Sequence, residues 1–138
     1  MTLQSTNIGP NPQVPGTVQE VYIPDQLIAG NLHLVTDTVT LLSGSGVIAR
    51  GTVLGRITAS GKYIPSLPAA VDGSQNPVAI ASDTVDATSA DQLAGAYFTG
   101  EFSQIAIVYT TWTLAALKAA LANQTIYLKS TVIAADPT

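Results

Sequence analysis

Residues 46–65, GVIARGTVLGRITASGKYIP, decide the reading of the fold. Val47, Ala49, Gly51, Val53, Gly55 and Ile57 recur at period two, and Ile48, Arg50, Thr52, Leu54, Arg56 and Thr58 fill the alternate positions. Successive side chains of a strand point to opposite faces, so this pattern predicts one long strand with a thin apolar face. Glycine inside a strand marks a bulge or a close backbone approach, as expected at Gly51 and Gly55. Ala59-Ser60-Gly61 fits a three-residue hairpin loop with Gly61 in the left-handed position. Lys62, Tyr63 and Ile64 return as the second strand. Pro65 ends it, because proline has no N–H to donate to a ladder.

Upstream, TVQEVYI (17–23) alternates as a strand and Pro24-Asp25 closes it. Leu27–Gly30 reads as a turn or loop, and 35–42 as a second, threonine-rich strand. Residues 43–46 form a flexible turn. The first sixteen residues contain Gly9, Pro10, Pro12, Pro15 and Gly16 and show no periodicity, so 1–16 reads as a flexible arm.

Downstream, residues 66–77 form a loop, with Pro68, Asp72-Gly73 and Asn76-Pro77 as breakers. Val78–Ser82 is a short strand and Asp83–Asp91 a polar loop. Ala94–Thr99 and Phe102–Tyr109 suggest a hairpin about a type II′ turn at Gly100-Glu101. One helix is expected, Thr113–Ala122. Thr113 is a good N-cap, Trp112 and Leu117 are placed for a hydrophobic staple, and Leu114, Leu117 and Leu121 form one stripe. Asn123 would end the helix in the left-handed conformation, and 126–132 is the last strand. The fold class is therefore mainly β with one α-helix (Thr113–Ala122), a compact β-hairpin-rich domain over residues 17–138 behind the arm.

Charged residues make up 10% of the 138-residue chain, against about 25% in typical soluble domains. A surface so poor in charge suits burial against other subunits. The net charge is -4, with only five lysines and arginines. No basic patch is available to neutralise phosphates, which excludes nucleic acid as a partner. The opening MTLQSTNIGP does not read as a signal peptide, and the uncharged run 102–117 is broken by polar residues and does not read as a membrane span.

Candidate chemistry is sparse. There is no cysteine and one histidine, His33, so a thiolate, a triad and a cysteine metal site all lack their parts. Asp83, Asp86 and Asp91 are the only local acid cluster. Their spacing matches no EF-hand loop, and they read as caps of turns in a solvated loop. No metal, cofactor or catalytic residue is expected. Arg50 and Arg56 fall on one face of the predicted strand. They can pair with acidic groups of a partner, or they can be edge cations that discourage aggregation, and the two readings stand side by side.

ARGTVLGRITASGKYIP (49–65) resembles the head decoration proteins of tailed bacteriophages, which share the fold of the phage lambda decoration protein. The similarity also covers YIPDQLIAG (22–30), LVTDTVTLLSG (34–44), DGSQNPVAI (72–80), 82–87, YFTGEF (97–102) and TLAALKAALANQTIYLKST (113–131). The resemblance implies a lambda decoration-protein-like fold and a structural capsid cement protein rather than an enzyme. It implies a homotrimer on the outer surface of the expanded head, at three-fold and quasi-three-fold positions, bridging subunits of the major capsid protein. Synthesis would be in the bacterial host cytoplasm. The arm would grip the capsid, with Leu3, Ile8 and Val14 as its contacts. The alternative is a small β-rich ligand- or carbohydrate-binding module of a virion or cell-surface protein. That module would need an exposed platform built from Trp112, Phe98, Phe102 and the tyrosines.

Overall fold

A computed structural model describes residues 27–130. The arm at 1–16, the strand expected at 17–23 and the end of the strand expected at 126–132 lie outside the described residues. The elements run β1 (Val35–Leu41), β2 (Gly46–Ile48), β3 (Val53–Arg56), β4 (Tyr63–Pro65), β5 (Pro77–Ala81), β6 (Val85–Ala87), β7 (Gln92–Ser103), α1 (Leu114–Ala122) and β8 (Ile126–Lys129). One sheet has the order β1-β4-β3-β5-β7-β8, and a further pairing of β1 with β7 closes its first five strands into a small barrel. β2 and β6 form a separate two-stranded ribbon.

β7 organises the barrel. One edge carries β1 in antiparallel register, from Val35↔Thr99 to Leu41↔Gln92. The other edge carries β5 at Tyr97 and Ala96, then β8 in parallel register from Gly100↔Ile126 to Ser103↔Lys129. Ahead of β1, Leu27–Ala29 lies along the same lane: Ile28 bridges Phe102, the Ser103 N–H donates to the Leu27 carbonyl at 2.7 Å, and the Ala29 N–H donates to Glu101 O at 2.9 Å.

Alternation along the strands creates two apolar cores. Val53, Ile80 and Phe102 face Leu117 and Leu121 of the helix and Ile126 of β8. Their neighbours Leu54, Ala79 and Ala81 face the barrel interior with Leu41, Ile48, Ala94 and Ala96. The alanines fit a narrow barrel, where little interior volume remains for side chains. Leu54, Ile80 and Phe102 are each 0% exposed. A fully buried side chain of this size contributes about 1.5–3 kcal/mol over its exposed state.

Several sequence expectations hold. Gly61 takes φ +74° at the β3–β4 turn, and the Ile57 N–H closes the loop on Lys62 O at 2.8 Å. The loop therefore also includes Thr58. Thr113 caps the helix, its hydroxyl accepting from the Ala116 N–H at 3.3 Å. Trp112 and Leu114 pack against the cluster that contains Leu117.

Four expectations are corrected. The long strand at 46–58 is two strands, β2 and β3, separated by a turn at 49–52. Gly51 there takes φ +91°, its N–H donates to Ala81 O, and its carbonyl accepts from the Val108 N–H. These long-range bonds pull the backbone off the straight path. Val47, placed on the apolar face by periodicity, is 64% exposed, while Ile48 is 1% exposed.

The hairpin about Gly100-Glu101 does not form. β7 runs straight through both residues, and Gly100 at φ +154° keeps backbone space that a Cβ would take from Leu34 Cδ2 at 2.5 Å and the Phe102 ring at 3.0 Å. Residues 104–109 leave the sheet and return at Val108, which bridges Thr52 in parallel. The polar loop at 83–91 contains β6, held by β2 from Gly46↔Ala87 to Ile48↔Val85. Asn123 is right-handed (φ -67°), and the positive φ falls on Thr125 (φ 60°) instead.

Candidate functional site

A surface cleft of about 450 Å³ lies over β1 and β7. It is lined by Thr36, Asp37 and Thr38 of β1, Gly95 and Tyr97 of β7, and Arg50, Ser82 and Asp83. The 49–52 turn positions Arg50. The Thr52 hydroxyl donates to Ala49 O at 2.7 Å, and the Arg50 N–H donates to Thr84 Oγ1 at 3.0 Å. The guanidinium then reaches across the cleft wall, donating to the Ser82 carbonyl and to the Tyr97 hydroxyl (3.4 Å), 6.0 Å from the Tyr97 ring centroid. Packing over a ring face suits the delocalised guanidinium. Arg50 is therefore a structural clasp between the turn, β5 and β7.

Arg56 ends β3 opposite Tyr63 and is exposed beside the Gly61 turn. The two arginines do not share a strand face, because the turn at 49–52 separates their segments. Of the pair, Arg56 presents its charge outward. Leu3, Ile8 and Val14 lie outside the described residues.

A second surface is uncharged. Pro65 lines two adjoining grooves, one of about 170 Å³ with Val47, Ser66 and Val108, the other of about 300 Å³ with Leu42, Ile64 and Leu67. Leu67 begins the loop 67–71, LPAAV, and Val71 at its end is 94% exposed. No charged side chain lines either groove. An uncharged surface of this kind resembles the charge-poor core of a protein interface. Periodicity could not find it, because it is assembled from a turn, a hairpin strand and a loop.

The acids of 83–91 serve local structure. Asp86 accepts from the Thr88 N–H (2.9 Å) and hydroxyl (2.5 Å), and these bonds, the hydroxyl's first, hold its carboxyl below the usual range. Asp91 is held down by the hydrogen bond from Lys62, with Nζ at 2.6 Å, and then by the Ser43 N–H at 2.8 Å. Among the described residues no three His, Cys, Asp or Glu side chains group to hold a metal. Most aromatics are engaged in packing: Tyr63 with Phe98 edge-on at 6.3 Å, Tyr97 with Phe102 at 5.4 Å, and Trp112 with its indole N–H on Ser66 O at 3.2 Å. This weighs against the aromatic platform that a carbohydrate-binding module needs.

The family model of the bacteriophage lambda head decoration protein D matches residues 17–126. The chain belongs to that family. No curated protein matches the chain. The match takes in the central hairpin, the whole of β7 and the helix, and reaches the first residue of β8. Head decoration proteins are structural proteins of the phage capsid, so membership supports a capsid decoration role on the virion and gives no support to catalysis.

Proposed function

We propose that the chain is a capsid cement protein that binds the outer surface of the expanded phage head as a homotrimer, at three-fold and quasi-three-fold positions, and bridges neighbouring subunits of the major capsid protein. Family membership over residues 17–126 carries this reading. The low charge of the chain and the uncharged surface around Pro65 support it, because interface cores are depleted in charge. Rotation about a three-fold axis closes a ring and leaves no open contact. The mechanism is interface burial without chemistry. A protein that binds only the assembled lattice shifts the equilibrium toward it, and many copies on one shell multiply modest contacts.

In this reading residues 1–16 are an arm ahead of a single domain at 17–138, and Leu3, Ile8 and Val14 are its capsid contacts. Three prolines stiffen the arm and lower the entropy lost on docking. Arg56, exposed at the end of β3, is the better placed of the two arginines to meet an acidic group of a partner.

Two measurements test the proposal. Sedimentation at micromolar concentration is expected to show a trimer, and a monomer alone would refute that element. Deletion of residues 2–16 is expected to leave folding and trimer intact and to weaken co-sedimentation with expanded capsids; undiminished binding would remove the arm from the mechanism.

A further inference from the structure

We propose that the open edge of β1, from Val35 to Thr40, takes up an extended segment of another protein that carries a lysine or arginine, and that Asp37 selects for that charge. The inference rests on the capsid reading above, in which that protein is the major capsid protein. β1 is laddered to β7 along its whole length, but on its other side it meets β4 at Leu41↔Tyr63 alone. There the Leu42 N–H donates to Tyr63 O at 3.1 Å. Backbone groups alternate in direction along a strand, so those of Thr36, Thr38 and Thr40 point to the same side as the Leu42 N–H. Among the described residues no ladder partner meets Thr36 or Thr38 on that side. β4 takes the lane from Leu41 onward and leaves an incoming strand the rise of residues 35–40, roughly 20 Å.

Val35, Thr36, Asp37 and Thr38 are all exposed, so both faces of the strand stand in solvent as well as its edge. Unpaired edges are templates for another strand, and proteins blunt those that must stay single. Here the blunting is partial and charged. The Asp37 carboxylate accepts the Thr38 N–H at 2.7 Å. That occupies one outward donor and leaves the Thr36 N–H and the carbonyls of both threonines open. An uncharged strand would have to displace the carboxylate and leave it without a donor in the seam. A cationic side chain on the incoming strand gives the carboxylate a new partner and frees the Thr38 N–H for the ladder. Rejecting one class of strand while accepting another is a source of specificity.

The charge beside the edge has the matching sign. The cleft over β1 and β7 is lined by two carboxylates, Asp37 and Asp83, and one guanidinium, Arg50, which already donates to the Ser82 carbonyl and the Tyr97 hydroxyl. The ends of the chain itself are a poor complement, since residues 1–26 and 131–138 contain no lysine or arginine. Its cations are Arg50, Arg56, Lys62, Lys118 and Lys129, and Lys62 and Lys129 are committed to Asp91 and Glu101. This favours a segment of a different protein over a second copy. In strand addition main-chain hydrogen bonds supply affinity and side chains supply specificity.

Amide hydrogen exchange on the unmodified full-length chain, free and bound to expanded capsids, reads the edge directly. The Thr36 and Thr38 amides are expected to slow at least about tenfold on binding. Unchanged rates overturn the proposal. Slowing that appears in the free chain as its concentration rises assigns the edge to a second copy and also overturns it. Two variants, compared with the unmodified chain by co-sedimentation with expanded capsids, separate edge from charge. Thr38→Pro blocks the outward edge without removing a donor to β7, and Asp37→Lys reverses the charge. Each is expected to weaken binding at least about tenfold. Undiminished binding by either folded variant, while the unmodified chain binds, overturns this proposal alone. Failure of the unmodified chain to bind overturns the capsid reading and this inference together. The exchange measurement needs no variant and decides the matter if one fails to fold.

Discussion

Lys129 Nζ lies 2.7 Å from Glu101 Oε1 across the parallel β7–β8 pair, while Glu101 Oε2 accepts the Leu32 N–H at 3.0 Å. One carboxylate thus ties β8 and the loop before β1 to the central strand. The Lys129 hydrogen bond, with its charge and the Leu32 amide, holds the Glu101 carboxyl below its ordinary value of 4.5. Asp72 is held down by the Ser74 hydroxyl and N–H, and Asp86 and Asp91 are lowered as described above. A depressed carboxyl adds stability that is fully present above its unfolded value and is lost as pH falls through the folded one. The melting temperature is therefore expected to hold near neutrality and to fall as pH drops below about 4.5. Glu101→Gln is expected to lower the melting temperature at pH 7 and to make the acid loss shallower. A parallel shift of the whole curve would show that Glu101 plays no part in the titration.

Chelator is expected to leave the melting temperature unchanged. Asp86 and Asp91 already hold a turn and an ion pair, and among the described residues no set of ligands converges on a cation. A drop of several degrees in a thermal scan with EDTA would reveal a site.

Gly55 and Gly61 are expected to respond to substitution for different reasons. Gly61 has room, with Arg56 Nη2 3.4 Å from the position of a Cβ, but its φ of +74° disfavours a β-branched side chain. Gly61→Val is expected to cost on the order of 1–3 kcal/mol, and Gly61→Asn much less. A methyl group at Gly55 would strike the Ser74 carbonyl, so Gly55→Ala is expected to cost more than Gly61→Ala. Urea unfolding of the variants gives the order; a neutral Gly55→Ala would place the 66–76 loop farther from β3.

Leu117 is 0% exposed between the helix and the sheet. Leu117→Ala is expected to cost about 2–5 kcal/mol through lost transfer energy and the cavity left behind. Removing the cap with Thr113→Ala is expected to cost about 1 kcal/mol. Similar small losses in denaturant midpoint for both would mean that the helix is loosely seated on the sheet.

Features governed by neighbours in sequence were legible from sequence alone. The cap at Thr113, the left-handed Gly61 and the stripe of Leu117 and Leu121 depend on contacts within a few residues. So do the aspartate-held turns at Asp86–Thr88 and Asp72–Ser74. The family wording was legible for the same reason: it is carried by contiguous runs. Tertiary structure decided what distant partners control. Period two continued through Arg50 and Gly51, but the carbonyl of Ala81 and the amide of Val108 claimed the backbone of Gly51 and broke the strand. Gly100-Glu101 had the composition of a turn, but Leu27–Ala29 on one side and β8 on the other held β7 straight through it. Arg50 became a clasp rather than a surface charge because β5 and β7 met beneath it. In each case a hydrogen bond to a residue some thirty or more positions away outweighed a local preference, and local patterns do not record such a partner.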